Sequence, residues 1–379
     1  MGIMSLFNYW RFIGNFFLNK ISSILGIDTT IRPLNAQIEL TLRCNARCKF
    51  CSIWTKAYQK SVTDPEMTTE QVKRIIDGLN KMHITVLSFT GGEPTLRSDL
   101  GELIDYAASK GMMTGIATNG YLLEDLVKKG ALKNLENCMV SVDFPTAELH
   151  DYYRGIKVFD RVVKGMRAAR KSGIKVLIST TVTKESLPYM EEMCKFATKN
   201  HAMIELLPCE NIVREVLDEA LEVQNIEKDY IPDLHQWAKE IRRLKQKYPN
   251  LTTDALTARI IENGGFGQFA RFGLRERFFM WYVTYMPCHV AMAYLFIKYN
   301  GDVVFPCKLH PILSVSALKY PIEKIYHAPE VRKIQQQKDT FPFCRGCRLG
   351  CAISTSLPFY WSGLYGKYIV AFLKGNFFT

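Results

Sequence analysis

The stretch "LTLRCNARCKFCSIW", residues 40–54, places Cys44, Cys48 and Cys51 in a C-x3-C-x2-C spacing. Four thiolates would close a zinc or iron–sulfur site. This loop stops at three, and the next cysteine is Cys138. Either a remote residue completes the site, or one position stays open for a substrate or cofactor.

Outward from this loop the chain alternates. Short β-rich runs occur at "AQIEL" (36–40), "TVLSFT" (85–90), "MMTGIAT" (112–118), "NCMVSVD" (137–143), "KVLISTTV" (175–182) and "MIELLP" (203–208). Helical patterns separate most of them. Val72, Ile75, Ile76 and Leu79 recur at helix spacing after Thr68, a plausible N-cap. Phe159, Val162, Val163 and Met166 do the same, and Gly173 closes that helix. Repeated strand–helix units imply a parallel α/β sheet with right-handed crossovers. Six units are too few for an eight-stranded barrel, so the pattern predicts an open partial (β/α)6 barrel. In such folds function sits at the C-terminal ends of the strands, where the cysteine loop falls.

That same rim collects other chemistry. "TGGEPTL" follows the second strand, with Gly91 and Gly92 able to let the backbone approach a ligand and Glu93 able to meet a cationic amine. "SVD" closes the fourth strand, with Ser141 and with Asp143 suited to ribose hydroxyls. Arg154, in "DYYRG", can hold a carboxylate.

Taken together, "CNARCKFC" and "GGEP" after successive strands resemble the radical S-adenosylmethionine (SAM) superfamily over residues 36–208. The resemblance implies that Cys44, Cys48 and Cys51 hold three irons of a [4Fe–4S] cluster. The fourth iron is left for SAM. The reduced cluster would cleave SAM to a 5′-deoxyadenosyl radical, which takes a hydrogen from substrate. It further implies that Gly91, Gly92 and Glu93 face the methionine amine, that Ser141 and Asp143 contact ribose or methionine, and that a ferredoxin- or flavodoxin-type donor supplies low-potential electrons. Arg154 is carried over against the alternative of a surface salt bridge. A three-cysteine zinc site would leave the glycine–glutamate loop unexplained.

Five cysteines lie late: Cys288, Cys307, Cys344, Cys347 and Cys351. "AYLFIKYNGDVVFPC" reads as a hairpin turning at Asn300-Gly301. With "CRGCRLGC" it resembles a SPASM- or Twitch-type auxiliary domain, although five residues rather than four separate Gly301 from Cys307. The resemblance implies a second [4Fe–4S] cluster on four of the five; zinc on the same residues stays open. Cys138, Cys194 and Cys209 read as small core residues, with the alternative that Cys209, just after the sixth strand, faces the active site.

The 379 residues carry a formal charge of +12, which favours an anionic partner without choosing one. The basic residues are dispersed and form no RNA module, so nucleic acid is not expected. An odd, clustered cysteine set fits metal binding in a reducing, cytoplasmic setting. Residues 1–27 lack the layout of a signal peptide. There Ser5, Asn8, Arg11, Asn15, Asn19 and Ser22 oppose Leu6, Trp10, Ile13, Phe17, Ile21 and Ile24, an amphipathic pattern. It suits either packing on the chain's own body or lying on the cytoplasmic face of a membrane. The tail "LPFYWSGLYGKYIVAFLKGNFF" (357–378) is aromatic and basic, which also suits a membrane boundary. The aromatic stretch 266–285 reads as a core stripe or a contact surface.

The expected organisation is an amphipathic segment (1–30), the partial barrel (31–215), a helical connector (216–286), the auxiliary cluster domain (287–352) and the tail (353–379). The expected substrate is a membrane lipid or lipid-linked molecule, of the calditol-synthesis type. A peptide, or a cofactor or tetrapyrrole, is the alternative. A non-catalytic reading is a membrane-docked iron–sulfur electron carrier, against which the intact "GGEP" and "SVD" speak.

Overall fold

A computed structural model describes residues 14–15, 17–18, 21, 33–55, 64–210, 229–266, 288–337, 341–344, 346–350, 353 and 356. Its frame is one nine-stranded sheet in the order β6-β5-β4-β3-β2-β1-β7-β8-β9. Strands β1 (Asn35–Thr41), β2 (Val86–Gly91), β3 (Met113–Thr118), β4 (Asn137–Ser141), β5 (Lys175–Val182) and β6 (Met203–Pro208) lie in sequence order. Each is parallel to its neighbours. This is the expected six-unit array, and the strands fall within a residue or two of the β-rich runs.

The helices between them form for the reasons their sequences give. In α1 (Thr69–Lys81) the Thr68 side chain accepts from the Gln71 amide while Gln71 reaches back to the Thr68 amide, a capping box. Its Val72, Ile75, Ile76 and Leu79 are buried against the sheet. Then come α2 (Leu100–Ser109), α3 (Leu123–Lys128), α4 (Ala147–Arg154), α5 (Phe159–Lys171) and α6 (Met190–Lys199). Gly173, with φ of +83°, follows α5 in the left-handed conformation that glycine adopts without strain.

Burial alternates along the strands. On β6, Ile204 and Leu206 belong to the main core, while Met203, Glu205 and Leu207 are only half-buried. The same alternation on β1 leaves Asn35, Gln37 and Glu39 half-buried. The period of two thus separates a helix-covered face from a polar face lining the lumen of the open barrel.

Two features go beyond the sequence pattern. The expected connector does not stand apart: α7 (Leu234–Lys247) buries Trp237, Ile241 and Leu244 in the core it shares with the barrel. Leu251 bridges to Ile204 at the β6 edge, and α8 (Ala255–Glu262) adds Ile260 and Ile261. The hairpin does not stand apart either. Strand β7 (Tyr294–Ile297) pairs in parallel with β1, Asn35 opposite Tyr294 and Ile38 opposite Ile297. Antiparallel β8 (Asp302–Pro306) and β9 (Pro311–Ser316) extend the same sheet. The turn runs through Gly301 (φ +88°), where a Cβ would strike the Leu318 side chain.

Of the N-terminal pattern, only Gly14, Asn15, Phe17, Leu18 and Ile21 lie within the described residues. Asn15 is buried and donates to the His83 carbonyl at 3.1 Å, while Phe17, Leu18 and Ile21 are exposed. Of the aromatic stretch only Phe266 is described, and it is fully buried. The tail from 357 lies outside the described residues, as does Cys351. Among the described residues no helix is long and apolar enough to cross a membrane.

Candidate functional site

The cysteine loop leaves the C-terminal end of β1 and is clasped by backbone on two sides. On one side the Gly92 amide donates to Thr41 O at 2.7 Å and the Glu93 amide to Arg43 O at 2.8 Å. Here the two glycines are obligatory. A Cβ on Gly91 would lie 2.1 Å from Thr41 O, at a φ of +146°, and one on Gly92 would lie 2.4 Å from Arg43 O. The close approach inferred from "GG" is therefore made to the chain's own cysteine loop. On the other side the amides of Arg47 and Lys49 donate to the carbonyls of Arg154 and Tyr153, at the end of α4.

Glu93 is enclosed. Its Oε1 accepts from the Thr95 amide, the Thr95 hydroxyl and the Thr118 hydroxyl; its Oε2 accepts from the Asn119 amide at 2.7 Å. Burial pushes its pKa up, and those donors work against that rise. The carboxylate expected at a ligand's amine thus spends itself tying the β2 loop to the end of β3. From there the Asn119 side chain reaches the Asn45 side-chain oxygen at 2.7 Å, inside the cysteine loop. Asn45, Thr118 and Asn119 were not singled out from the sequence. The "TNG" turn signal at 118–120, directly after a strand, is what could have found them.

Asp143 and Arg154 also turn inward. Asp143 is fully buried; its Oδ2 accepts from Arg154 Nε at 2.5 Å and its Oδ1 from the Thr181 amide at 3.0 Å. The guanidinium also donates from Nη1 to Cys48 Sγ at 3.7 Å. Burial opposes the charge on Arg154, but Asp143 and Cys48 outweigh it and its pKa rises. Asp143 has no surface left for a ribose, and Arg154 is committed to Asp143 and Cys48: each charge is the other's partner because an unpaired buried charge is too costly. Against them lies His150, also buried, whose Nδ1 accepts from the Asp143 amide and whose Nε2 has no hydrogen-bond partner among the described residues. Burial holds its pKa down to about 4, so the ring is neutral. Ser141 is half-buried and paired in register with Ser179, which pairs in turn with Glu205.

Whether the thiols fit an iron–sulfur cluster can be judged from the donor set. Cys44 and Cys51 are half-buried and Cys48 is buried. Burial pushes the Cys48 thiol up to about 12, with Arg154 opposing, and pushes Cys44 up as well. Such thiols ionise only beside strong positive charge, which bound iron provides. Among the described residues no three His, Cys, Asp or Glu side chains gather tightly enough to ligate a single metal ion. A lone zinc needs every sulfur at about 2.3 Å from one point. A cluster gives each thiolate its own iron and asks only for thiols spaced around a shared pocket. The loop fits the second description.

The late cysteines meet too. Cys307, Cys344 and Cys347 lie near enough to Cys288 for their charges to act on it, and burial first, then these neighbours, raise its pKa well above the ordinary thiol value. The Cys347 carbonyl accepts from the Phe266 amide, and a Cβ on Gly265 would lie 2.2 Å from it. Gly350 packs against Leu207 of β6, where a Cβ would come within 2.6 Å of Cδ2. The lumen face holds one further group the sequence reading passed over. Glu205 makes no hydrogen bond or ion pair among the described residues, and burial alone raises its pKa to about 7.

An open parallel α/β barrel whose first loop presents three thiols at its mouth defines a class of redox-cofactor enzyme. Residues 38–197 match the Radical SAM superfamily, so this part of the chain is a radical SAM domain. The cofactors are those of the family, a [4Fe–4S] cluster and SAM. The chain is 28% identical over 328 residues to an "AdoMet-dependent heme synthase" of Methanosarcina barkeri, covering 85% of this chain and 90% of that one. It is 33% identical to an "AdoMet-dependent heme synthase" of Oleidesulfovibrio alaskensis, over 41% of this chain and 40% of the relative. With the "Mycofactocin maturase MftC" of Mycolicibacterium smegmatis it shares 31% identity over 48% of this chain and 45% of the relative. The chain thus spans less than half of two of these relatives and nearly all of the other. The fold is like that of Streptococcus suis SuiB bound to S-adenosylmethionine, with a TM-score of 0.61 at 17% identity, over 87% of this chain and 76% of that one.

Proposed function

We propose that this enzyme acts on a carboxylate-bearing tetrapyrrole and holds a second cluster on its late cysteines. The observation that carries the substrate class is the end-to-end match to a heme synthase; the matches to MftC cover under half of either chain. A formal charge of +12 suits a polyanionic substrate. The first cluster sits on Cys44, Cys48 and Cys51, and the second on four of Cys288, Cys307, Cys344, Cys347 and Cys351. Substrate occupies the lumen, in reach of Ser141, Ser179 and Glu205. When bound and reduced, the first cluster and SAM together supply the radical that takes hydrogen from substrate. The chain orients the substrate and keeps water out. A ferredoxin- or flavodoxin-type protein supplies the electron. Relatives named for tetrapyrrole and peptide chemistry give a lipid substrate no support, and that expectation is not carried forward.

Anaerobic incubation with reductant, SAM and iron coproporphyrin III tests this. Conversion of the porphyrin with formation of 5′-deoxyadenosine is the expected result. SAM cleavage that leaves the porphyrin intact rejects the substrate class and brings a peptide forward.

One observation favours peripheral membrane attachment as a second property. Asn15 faces the body of the chain while Phe17, Leu18 and Ile21 face out, the orientation of an interfacial helix. Flotation of the full chain with anionic vesicles, lost on replacing those three side chains by Ser, supports attachment; no flotation rejects it.

A further inference from the structure

Arg154 closes α4 and is fixed from every side. Its carbonyl accepts from Arg47 in the cysteine loop, and Gly155 follows at φ +63°, where a Cβ would lie 2.7 Å from Arg47 O. Its guanidinium lies 5.5 Å from the Phe50 ring centroid. It bridges Asp143 Oδ2 at 2.5 Å and Cys48 Sγ at 3.7 Å, with 10% of its side chain exposed and none of Asp143's. This is a buried dipole with its positive end against a ligating sulfur and its negative end pinned by the Thr181 amide.

We propose that the Asp143–Arg154 pair sets the reduction potential of the cluster on Cys44, Cys48 and Cys51. The inference rests on those three cysteines holding that cluster. Reduction adds one negative charge to the iron–sulfur core. A cationic donor on a ligating sulfur favours the reduced form, so it raises the potential. Arginine cannot shed its proton, so this donor is permanent. Asp143 moderates it: the carboxylate cancels part of the guanidinium's field and leaves a dipole rather than a full charge.

The pair therefore predicts shifts of opposite sign. Asp143→Asn leaves the guanidinium uncompensated and moves the midpoint positive. Arg154→Gln removes the donor, leaves Asp143 facing the cluster, and moves it negative. The double substitution leaves neither charge unpaired and falls between wild type and Arg154→Gln.

The experiment is an anaerobic potentiometric titration of the full chain followed by electron paramagnetic resonance. The first cluster is picked out by the change SAM makes in its signal, and iron is counted before titration. The order Asp143→Asn, wild type, double variant, Arg154→Gln, from most positive to most negative, is the expected result. Midpoints within error of one another, or a negative shift for Asp143→Asn, overturn the proposal. If Arg154→Gln loses iron, Asp143→Asn and the double variant decide by the sign of their shifts. If wild type carries no SAM-responsive cluster, or keeps one when Cys44, Cys48 and Cys51 are replaced, the assignment of the cluster itself has failed.

Discussion

The two cysteine groups are built in opposite ways. Cys44, Cys48 and Cys51 sit within eight residues; bonds from Arg47 to Cys44 O and from Trp54 to Cys48 O brace the loop locally, and Gly92, Glu93, Asn119 and Arg154 tie it to the ends of β2, β3 and α4. Cys288, Cys307, Cys344 and Cys347 are scattered along the chain, yet a hairpin joined to the main sheet and two backbone hydrogen bonds, Phe266 to Cys347 and Gly346 to Phe266, bring them together. A motif compact in sequence depends on a distributed scaffold, and a scattered one depends on a few contacts.

The sharpest way to break this comparison is to remove the compact set. Replacing Cys44, Cys48 and Cys51 by Ala is expected to abolish SAM cleavage and lower bound iron from about eight to about four atoms per chain, the second cluster persisting. Iron and sulfide analysis beside a 5′-deoxyadenosine assay checks it. Complete loss of iron would show that the two groups are not independent.

Next in size is the scaffold. Gly91→Ala forces a Cβ onto Thr41 O at a backbone angle alanine disfavours. The expected cost is on the order of 3–5 kcal/mol, read by denaturant unfolding, with iron lost from the first loop before the second.

Glu205 tests the lumen between the two groups. Its carboxyl is raised from 4.5 to about 7, so the folded state holds a proton that the unfolded chain releases. Stability is therefore complete below about pH 4.5 and declines as pH rises through 7. Glu205→Gln removes this penalty. It is expected to stabilise the chain by at most about 3 kcal/mol at pH 8–9 and by nothing at pH 4. No gain at pH 8–9 would mean the lumen is wetter than its burial implies, and a gain independent of pH would mean that charge is not its cause.

Smallest is the contact between the regions. Gly350→Ala brings a Cβ to 2.6 Å from Leu207 Cδ2, a side-chain end that can move. About 1 kcal/mol of destabilisation is expected, with the first cluster unaffected. Loss of SAM cleavage in that variant would show that the late loop reaches further into the site than one leucine.

Much of this was legible in the sequence because it obeys local periods. The alternation of Ile38 and Leu40, or of Ile204 and Leu206, with polar neighbours announces a strand, and Thr68 with Gln71 announces a helix start. What stayed hidden is pairing across distance. Asp143 and Arg154 read as exposed ligand groups because a charge after a strand of such a fold usually faces the mouth; their mutual neutralisation is a tertiary fact. Glu93 read as a ligand for an amine because nothing nearby in sequence shows that Thr118 and Asn119 will take its oxygens. β7 read as part of a separate unit because a short hydrophobic run carries no mark of its partner. Leu295 opposite Ala36 is visible only in register.

That register has a geometric consequence. β1 runs from Asn35, opposite Tyr294, to Thr41, just before the first cysteines. β8 returns antiparallel to β7, so Cys307 emerges beyond the Asn35 end. The strand pair is then a ruler between the two cysteine groups, about 20 Å long at the rise of a β-strand. Backbone hydrogen bonds fix that span, so domain motion cannot vary it. Electron tunnelling falls steeply with distance. With clusters on both groups, as proposed, a molecule seated in the lumen would divide that span into two shorter hops.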